Sequence, residues 1–158
     1  MLSIQPLSAA AGIVAAEYEH VASPRVTFGL GGTFSSQTGS DWFGEGASKV
    51  TYLSGDVKLR YYPAGRALAG FAVGVLAGFV DAHETRTDYF GGGAVNSTSN
   101  GSSPSIGVSL DYGWLVGAKR SLYLAIGAGA KRIFIDENKV PDVLNTYPTA
   151  RISIGYAF

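Results

Sequence analysis

Apolar and polar residues alternate with a period of two along most of this 158-residue chain. The last stretch, YPTARISIGYAF, carries the pattern most cleanly. Ala150, Ile152, Ile154, Tyr156 and Phe158 fall on one face, and Thr149, Arg151, Ser153, Gly155 and Ala157 on the other. Successive side chains of a strand point to opposite faces, so this is a strand with one large apolar face and one small or polar face. The same alternation predicts strands over residues 2–7, 12–21, 26–34, 49–62, 67–81, 105–116 and 121–135. Residues 49–62 are the clearest internal case, with Leu53, Val57, Leu59 and Tyr61 against Tyr52, Ser54, Asp56, Lys58 and Arg60. The pattern breaks at Arg132-Ile-Phe-Ile135, where a bulge is expected.

The connections alternate in length. Tight turns are predicted at 22–25, 63–66 and 117–120, each marked by Pro or Gly. Long loops are predicted at 35–48, 82–104 and 136–147, the second built around Gly91-Gly-Gly93 and a Ser/Asn/Thr/Gly run and expected to be a mobile surface loop. This is an all-β, antiparallel up-and-down meander with every long loop at one end. The strand count depends on residues 2–21. Pro6 and the small residues 8–12 favour two strands there and eight in all, which returns both termini to the short-turn end; one strand there would leave seven.

Two environments suit such strands. In a soluble barrel the apolar face fills the interior, whereas in a transmembrane barrel it meets lipid and the polar face lines the lumen. No run of eighteen apolar residues is present, so a membrane assignment requires a barrel. The polar face carries Glu17, Glu19, Asp56 and Asp111 against Lys58, Arg60, Lys131 and Arg151, four acids facing four bases. An eight-stranded barrel is just wide enough for side chains to fill. A neutral, ion-paired, non-conducting lumen is therefore expected, with the Gly and Ala residues of the third, fifth and seventh strands leaving room for the long charged ones; a narrow ion path is the rival. Packing the apolar faces inward instead would force Phe, Trp, Tyr and Leu from nearly every strand into that interior and overfill it. Aromatics gather near strand ends, with Tyr18, Tyr61, Trp114, Tyr156 and Phe158 at the short-turn end and Phe34, Phe79 and Phe134 at the other. Two aromatic belts are expected of a membrane barrel.

Composition adds modest constraints. The formal net charge is +0, which implies no nucleic-acid partner. Gly is 22 of 158 and charged residues only 15%, in keeping with thin strand faces rather than a charged surface. The length fits one domain, 1–158. There is no Cys, which decides nothing about compartment. The first twenty residues lack a basic segment, so no signal peptide is expected in this stretch, and the chain reads as a mature form with Met1 added.

The alternating strands, the loop asymmetry and the terminal Arg151-Ile-Ser-Ile-Gly-Tyr-Ala-Phe158 resemble the small eight-stranded outer-membrane barrels of Gram-negative bacteria, of the OmpA transmembrane-domain and OmpX type. The resemblance spans nearly the whole chain as pattern rather than close identity. It implies a bacterial outer-membrane location, outer-membrane lipid as surroundings, and the barrel-assembly machinery as a partner during biogenesis. On the same analogy Ile152, Ile154, Tyr156 and Phe158 form the C-terminal assembly signal. No domain follows Phe158 in this sequence, so a role needing a periplasmic peptidoglycan-binding domain is not expected.

Candidate chemistry is sparse. His20 sits beside a tight turn with no Ser placed near it, so a Ser-His-carboxylate site is not expected. His83 lies near Asp81, Glu84 and Asp88, a set better explained as a solvated loop base than as a cation site. Gly91-Gly-Gly93 lacks the strand-to-helix context of a phosphate loop. No catalytic residue, metal or cofactor is expected. The leading expectation is a structural or loop-binding barrel, with Trp42, Phe43, Tyr89 and Phe90 as aromatics available to an unidentified loop partner. A lipid-modifying outer-membrane enzyme and a soluble lipocalin-like barrel are the alternatives.

Overall fold

The structure, a computed structural model, describes residues 1–10, 12–40, 46–90, 93–134 and 146–158. Eight antiparallel strands form a closed up-and-down barrel: β1 (Leu2–Ile4), β2 (Ile13–Ser23), β3 (Val26–Ser40), β4 (Gly46–Tyr61), β5 (Gly70–Phe90), β6 (Gly93–Val116), β7 (Leu122–Ile133) and β8 (Thr146–Tyr156). The ring closes where β1 pairs with both neighbours, Leu2 lying opposite Tyr18 on one side and Tyr156 on the other. Residues 2–21 thus hold two strands. They are joined not by a turn but by a short helix, α1 (Pro6–Ala10). Proline suits a first helical position because no N–H is needed there. Gly12, at φ +73°, ends the excursion, its N–H donating to the Ala9 carbonyl at 3.0 Å.

Four other expectations need correction. Residues 82–90 and 93–104 are strand rather than loop: β5 and β6 stay paired up to Phe90 and Gly93, and β3 and β4 likewise extend through Ser40 and Gly46. Alternation is the imprint of two unlike environments. Where both faces meet polar surroundings it fades, although the hydrogen-bonded ladder continues. The 63–66 turn is longer than expected, with β5 starting at Gly70 and Leu68, at φ +65°, folded back into the barrel mouth. The ladder of β7 runs unbroken to Ile133 with no bulge, and the register shift lies instead between Val21 and Ser23. The last strand ends at Tyr156, so Phe158 lies just beyond it. The predicted link 136–147, Trp42 and Phe43 fall largely or wholly outside the described residues, as do the side chains of Tyr89 and Phe90.

The wall sorts its residues by parity. Outward on β6 stand Ile106, Val108, Leu110, Tyr112, Trp114 and Val116, all exposed. The run covers about 34 Å at about 3.4 Å per residue, or about 26 Å of height at a tilt near 40°. On β4 the apolar run from Leu53 to Tyr61 gives about 21 Å on the same reckoning. Phe34 and Phe79 lie at the upper limit of the band, and Phe79 is 66% exposed. Above it the outward residues turn polar: Thr51 and Lys49 on β4, Asp81 and His83 on β5. The interior divides into three levels. Met1, Leu68, Tyr123 and Ala125 close the short-turn end, a charged layer fills the middle, and Val80, Ala82 and Ile133 pack together nearer the other end.

Candidate functional site

The charged layer is assembled by register. Each of its eight long residues has a glycine as a ladder neighbour. Glu17 and Asp56 oppose Gly31, Glu19 and Lys58 oppose Gly29, Arg60 opposes Gly74, Lys131 opposes Gly107, and Asp111 and Arg151 oppose Gly127. The space a neighbouring side chain would take is given to the ion pairs. A Cβ on Gly127 would land on the Asp111 carboxylate and lie 3.0 Å from Arg151 Nε, and one on Gly74 would lie 3.2 Å from Arg60 Cγ.

Arg60 is the hub. Its Nη1 donates to both Glu17 and Glu19, and its Nε lies 3.1 Å from Asp111 Oδ2. Lys58 pairs with Glu17. Arg151 grips Asp111 with two nitrogens, Nε at 2.8 Å from Oδ1 and Nη2 against both oxygens. Lys131 Nζ reaches Asp56 Oδ1 at 2.7 Å and Ser54 Oγ at 3.3 Å. The remaining lone pairs are met by hydroxyls: Thr27 and Tyr62 (3.0 Å) donate to Glu19, and Ser109 donates to Asp111 at 3.1 Å. Glu17, Glu19, Lys58, Arg60, Asp111 and Lys131 are all buried, with Glu19 at 0% exposure. Charges so placed persist only when paired and fully hydrogen-bonded. The network joins β2, β4, β6, β7 and β8 across the lumen. It is a cross-brace with balanced charge.

Sequence parity puts Tyr62 on the face of Lys58 and Arg60 but does not mark it as a partner of Glu19; its hydroxyl enters from the turn after β4. Burial, and then the adjacent Glu19 carboxylate, push its phenol above the ordinary tyrosine range. Thr27, Ser54 and Ser109 lie at inward positions, and that parity is the only sequence signal they give.

The other candidates lie elsewhere. Tyr18, Phe34, Tyr61, Phe79 and Trp114 all face outward and are between 41% and 66% exposed. Ile152, Ile154, Tyr156 and Phe158 share the outer face of the last segment, with the Tyr156 and Phe158 rings stacked at 6.4 Å between centroids. His20 and His83 both point outward. The carboxylates near His83 are split by parity, Asp81 outward and Glu84 inward. Among the described residues no group of three or more His, Cys, Asp or Glu is placed to hold a metal ion.

An apolar outer band around a closed eight-stranded barrel with an ion-paired core defines the class. Residues 4–147 match the family described as "Protein of unknown function (DUF3575)", and the chain belongs to that family. No curated protein matches. Among solved structures, the chain is similar to the N-terminal β-barrel domain of Pseudomonas aeruginosa OprF. The identity is 14% and the TM-score 0.47, with 92% of this chain and 87% of that one covered.

Proposed function

We propose that the chain is an integral outer-membrane β-barrel of the OmpA-like kind, with a non-conducting lumen closed across its middle by its own side chains, serving a structural or loop-mediated binding role. The observation that carries this is the outer band. Leu30, Val57, Phe79, Val108 and Ile126 stand at least half exposed on five different strands, while the charges lie inside. In water that arrangement exposes a contiguous apolar surface far larger than soluble proteins tolerate; in lipid it is what a spanning barrel requires. Two features support a closed lumen: the Arg60-centred brace and the plug of Met1, Leu68 and Tyr123 beneath it. The paired β5–β6 ribbon rises beyond the apolar band and offers the surface for a binding partner. On this proposal the assembly machinery reads Ile152, Ile154, Tyr156 and Phe158, and lipid surrounds the aromatics at the band's two limits.

The test uses Trp114, which faces outward on β6. The chain has two tryptophans, so a Trp42→Phe variant leaves Trp114 as the sole emitter. Refolded into vesicles of brominated phosphatidylcholine, its fluorescence is expected to be strongly quenched, and the same vesicles fused to a planar bilayer should show no steady conductance. Unquenched Trp114 would contradict the lipid-facing assignment, and stable unitary currents would contradict the closed lumen.

A further inference from the structure

The wall of the barrel is incomplete on one side. β1 is three residues long, and its partners on β8 are Ile154 to Tyr156 and on β2 are Ala16 to Tyr18. Beyond these, among the described residues, residues 146–153 of β8 ladder with β7 alone, and on β2 the pairing extends only by the Gln5 N–H, which donates to the Ala15 carbonyl at 3.1 Å. The chain bridges this seam with α1, which packs against both β2 and β8. Ala150 stands six positions along β8 from Tyr156, about 20 Å along the strand, so the seam opens within the apolar band.

Behind it lies a cavity of about 620 Å³, within the range of about 300–1,000 Å³ that holds small ligands. β3 and β4 lend it alternate, inward residues only, as expected of an intact wall. β8 lends four consecutive residues, Pro148, Thr149, Ala150 and Arg151, so the cavity reaches the exposed strand edge. Its sides are largely apolar, with Ile13, Leu76 and Ile133 among them, and its floor is charged. The floor is not neutral. Lys58, Lys131 and Arg151 line it with Asp56, whereas Glu17 and Asp111, the partners of Lys58 and Arg151, lie outside the lining.

Resting on the membrane assignment above, we propose that this cavity is a lateral binding site for a single-chain fatty carboxylate. The molecule enters from the membrane through the seam between β2 and β8. Its carboxylate meets Lys58, Lys131 and Arg151, its first methylenes lie along the apolar sides, and the rest of the chain stays in lipid. The backbone groups on this edge of β8, which have no ladder partner among the described residues, provide the physical reason for an occupant. Unpaired N–H and C=O groups facing hydrocarbon are costly, and the polar end of an amphiphile seated at the seam, with the water it carries, relieves that cost.

The experiment measures binding of a dansyl-labelled undecanoate to the refolded barrel in detergent micelles, with displacement by palmitate or by hexadecanol. Folding of each sample is checked by heat-modifiable migration on a denaturing gel. Saturable binding is expected, with palmitate displacing the probe at least tenfold more effectively than hexadecanol. Ala15→Trp fills the seam side of the cavity from β2, and it is expected to weaken binding at least tenfold in folded protein. Leu76→Trp, from the opposite wall, serves the same purpose should the first variant fail to fold. Equal displacement by the alcohol overturns the proposal, as does binding unaffected by either folded variant. A folded, heat-modifiable barrel without saturable binding overturns this proposal alone. A chain without that barrel form in amphiphile removes the membrane assignment and this proposal together.

Discussion

Arg60→Met removes the hub of the interior while keeping most of the side chain's length. Arg60 makes three charge-assisted contacts, to Glu17, Glu19 and Asp111. Hydrogen bonds to charged groups are each worth about 1.5–3 kcal/mol, so the simple sum is about 4.5–9 kcal/mol. That sum is too large, because each carboxylate keeps another donor: Lys58 on Glu17, Thr27 and Tyr62 on Glu19, Arg151 and Ser109 on Asp111. What cannot be compensated is charge, since four acids then face three bases in a closed interior. Removing one partner of a buried pair costs about 3–5 kcal/mol, and the expected loss lies in that range. The assay is equilibrium urea unfolding of the barrel in lipid vesicles, followed by tryptophan fluorescence. Adding Glu19→Gln should restore part of the loss by returning the charge balance, which a purely steric defect would not allow. The exposed Arg132, which lies 5.4 Å from the centre of the Phe134 ring, is the control, and Arg132→Met should cost less than about 1 kcal/mol. An Arg60→Met barrel within 1 kcal/mol of the parent would refute the brace.

Gly127→Val places a branched side chain on the Asp111 carboxylate, so it should lower stability by at least about 3 kcal/mol or prevent folding, read on the same urea curve. Gly55→Ala is the matched control because a Cβ there meets nothing within 4 Å; it should change stability by less than about 1 kcal/mol. Tyr62 is held neutral by burial and by Glu19, so its folded pKa is raised. The stability this contributes is present below the ordinary tyrosine pKa of about 10 and is lost as pH rises past it; Tyr62→Phe should flatten that alkaline decline in a pH series of unfolding curves. Phe158→Ala removes an exposed ring that stacks on Tyr156, so it should leave urea stability in vesicles unchanged while reducing the folded fraction recovered from cell envelopes. Equal envelope recovery would count against the assembly-signal role.

Parity made the wall legible in the sequence. Residues such as Leu53, Val57 and Leu59 against Ser54, Asp56 and Lys58 record an apolar outside and a polar inside, and the structure sorts them that way. The same rule breaks down in β5 beyond Asp81 and in β6 before Pro104. There Thr, Ser, Asn and Gly occupy both faces, because a ribbon clear of the band has no unlike environments to record. Composition then resembles a loop while the backbone remains paired. For the charged layer, parity put the eight residues on one face, but which acid meets which base follows from register, and register is invisible until the strands are paired. Arg60 and Asp111 are 51 residues apart in the chain and become neighbours only across the lumen. The glycine opposite each charged residue is legible only afterwards. Leu68 and Tyr62 carry inward parity in the predicted strands 67–81 and 49–62 but enter from a turn, so which groups they meet follows only from the fold. The seam follows from the brevity of β1, and Pro6 is its one trace in the sequence: a residue without an N–H ends the ladder early and starts a helix.

The central claim is that the apolar face lies outside and requires lipid. It is tested most directly by dividing one denatured preparation between plain buffer and detergent or lipid. Circular dichroism is then recorded on each, and unheated samples are run beside boiled ones on a denaturing gel. A strand-rich spectrum and a heat-modifiable band are expected in amphiphile only, with aggregation in buffer. A stable, strand-rich monomer in plain buffer would contradict it.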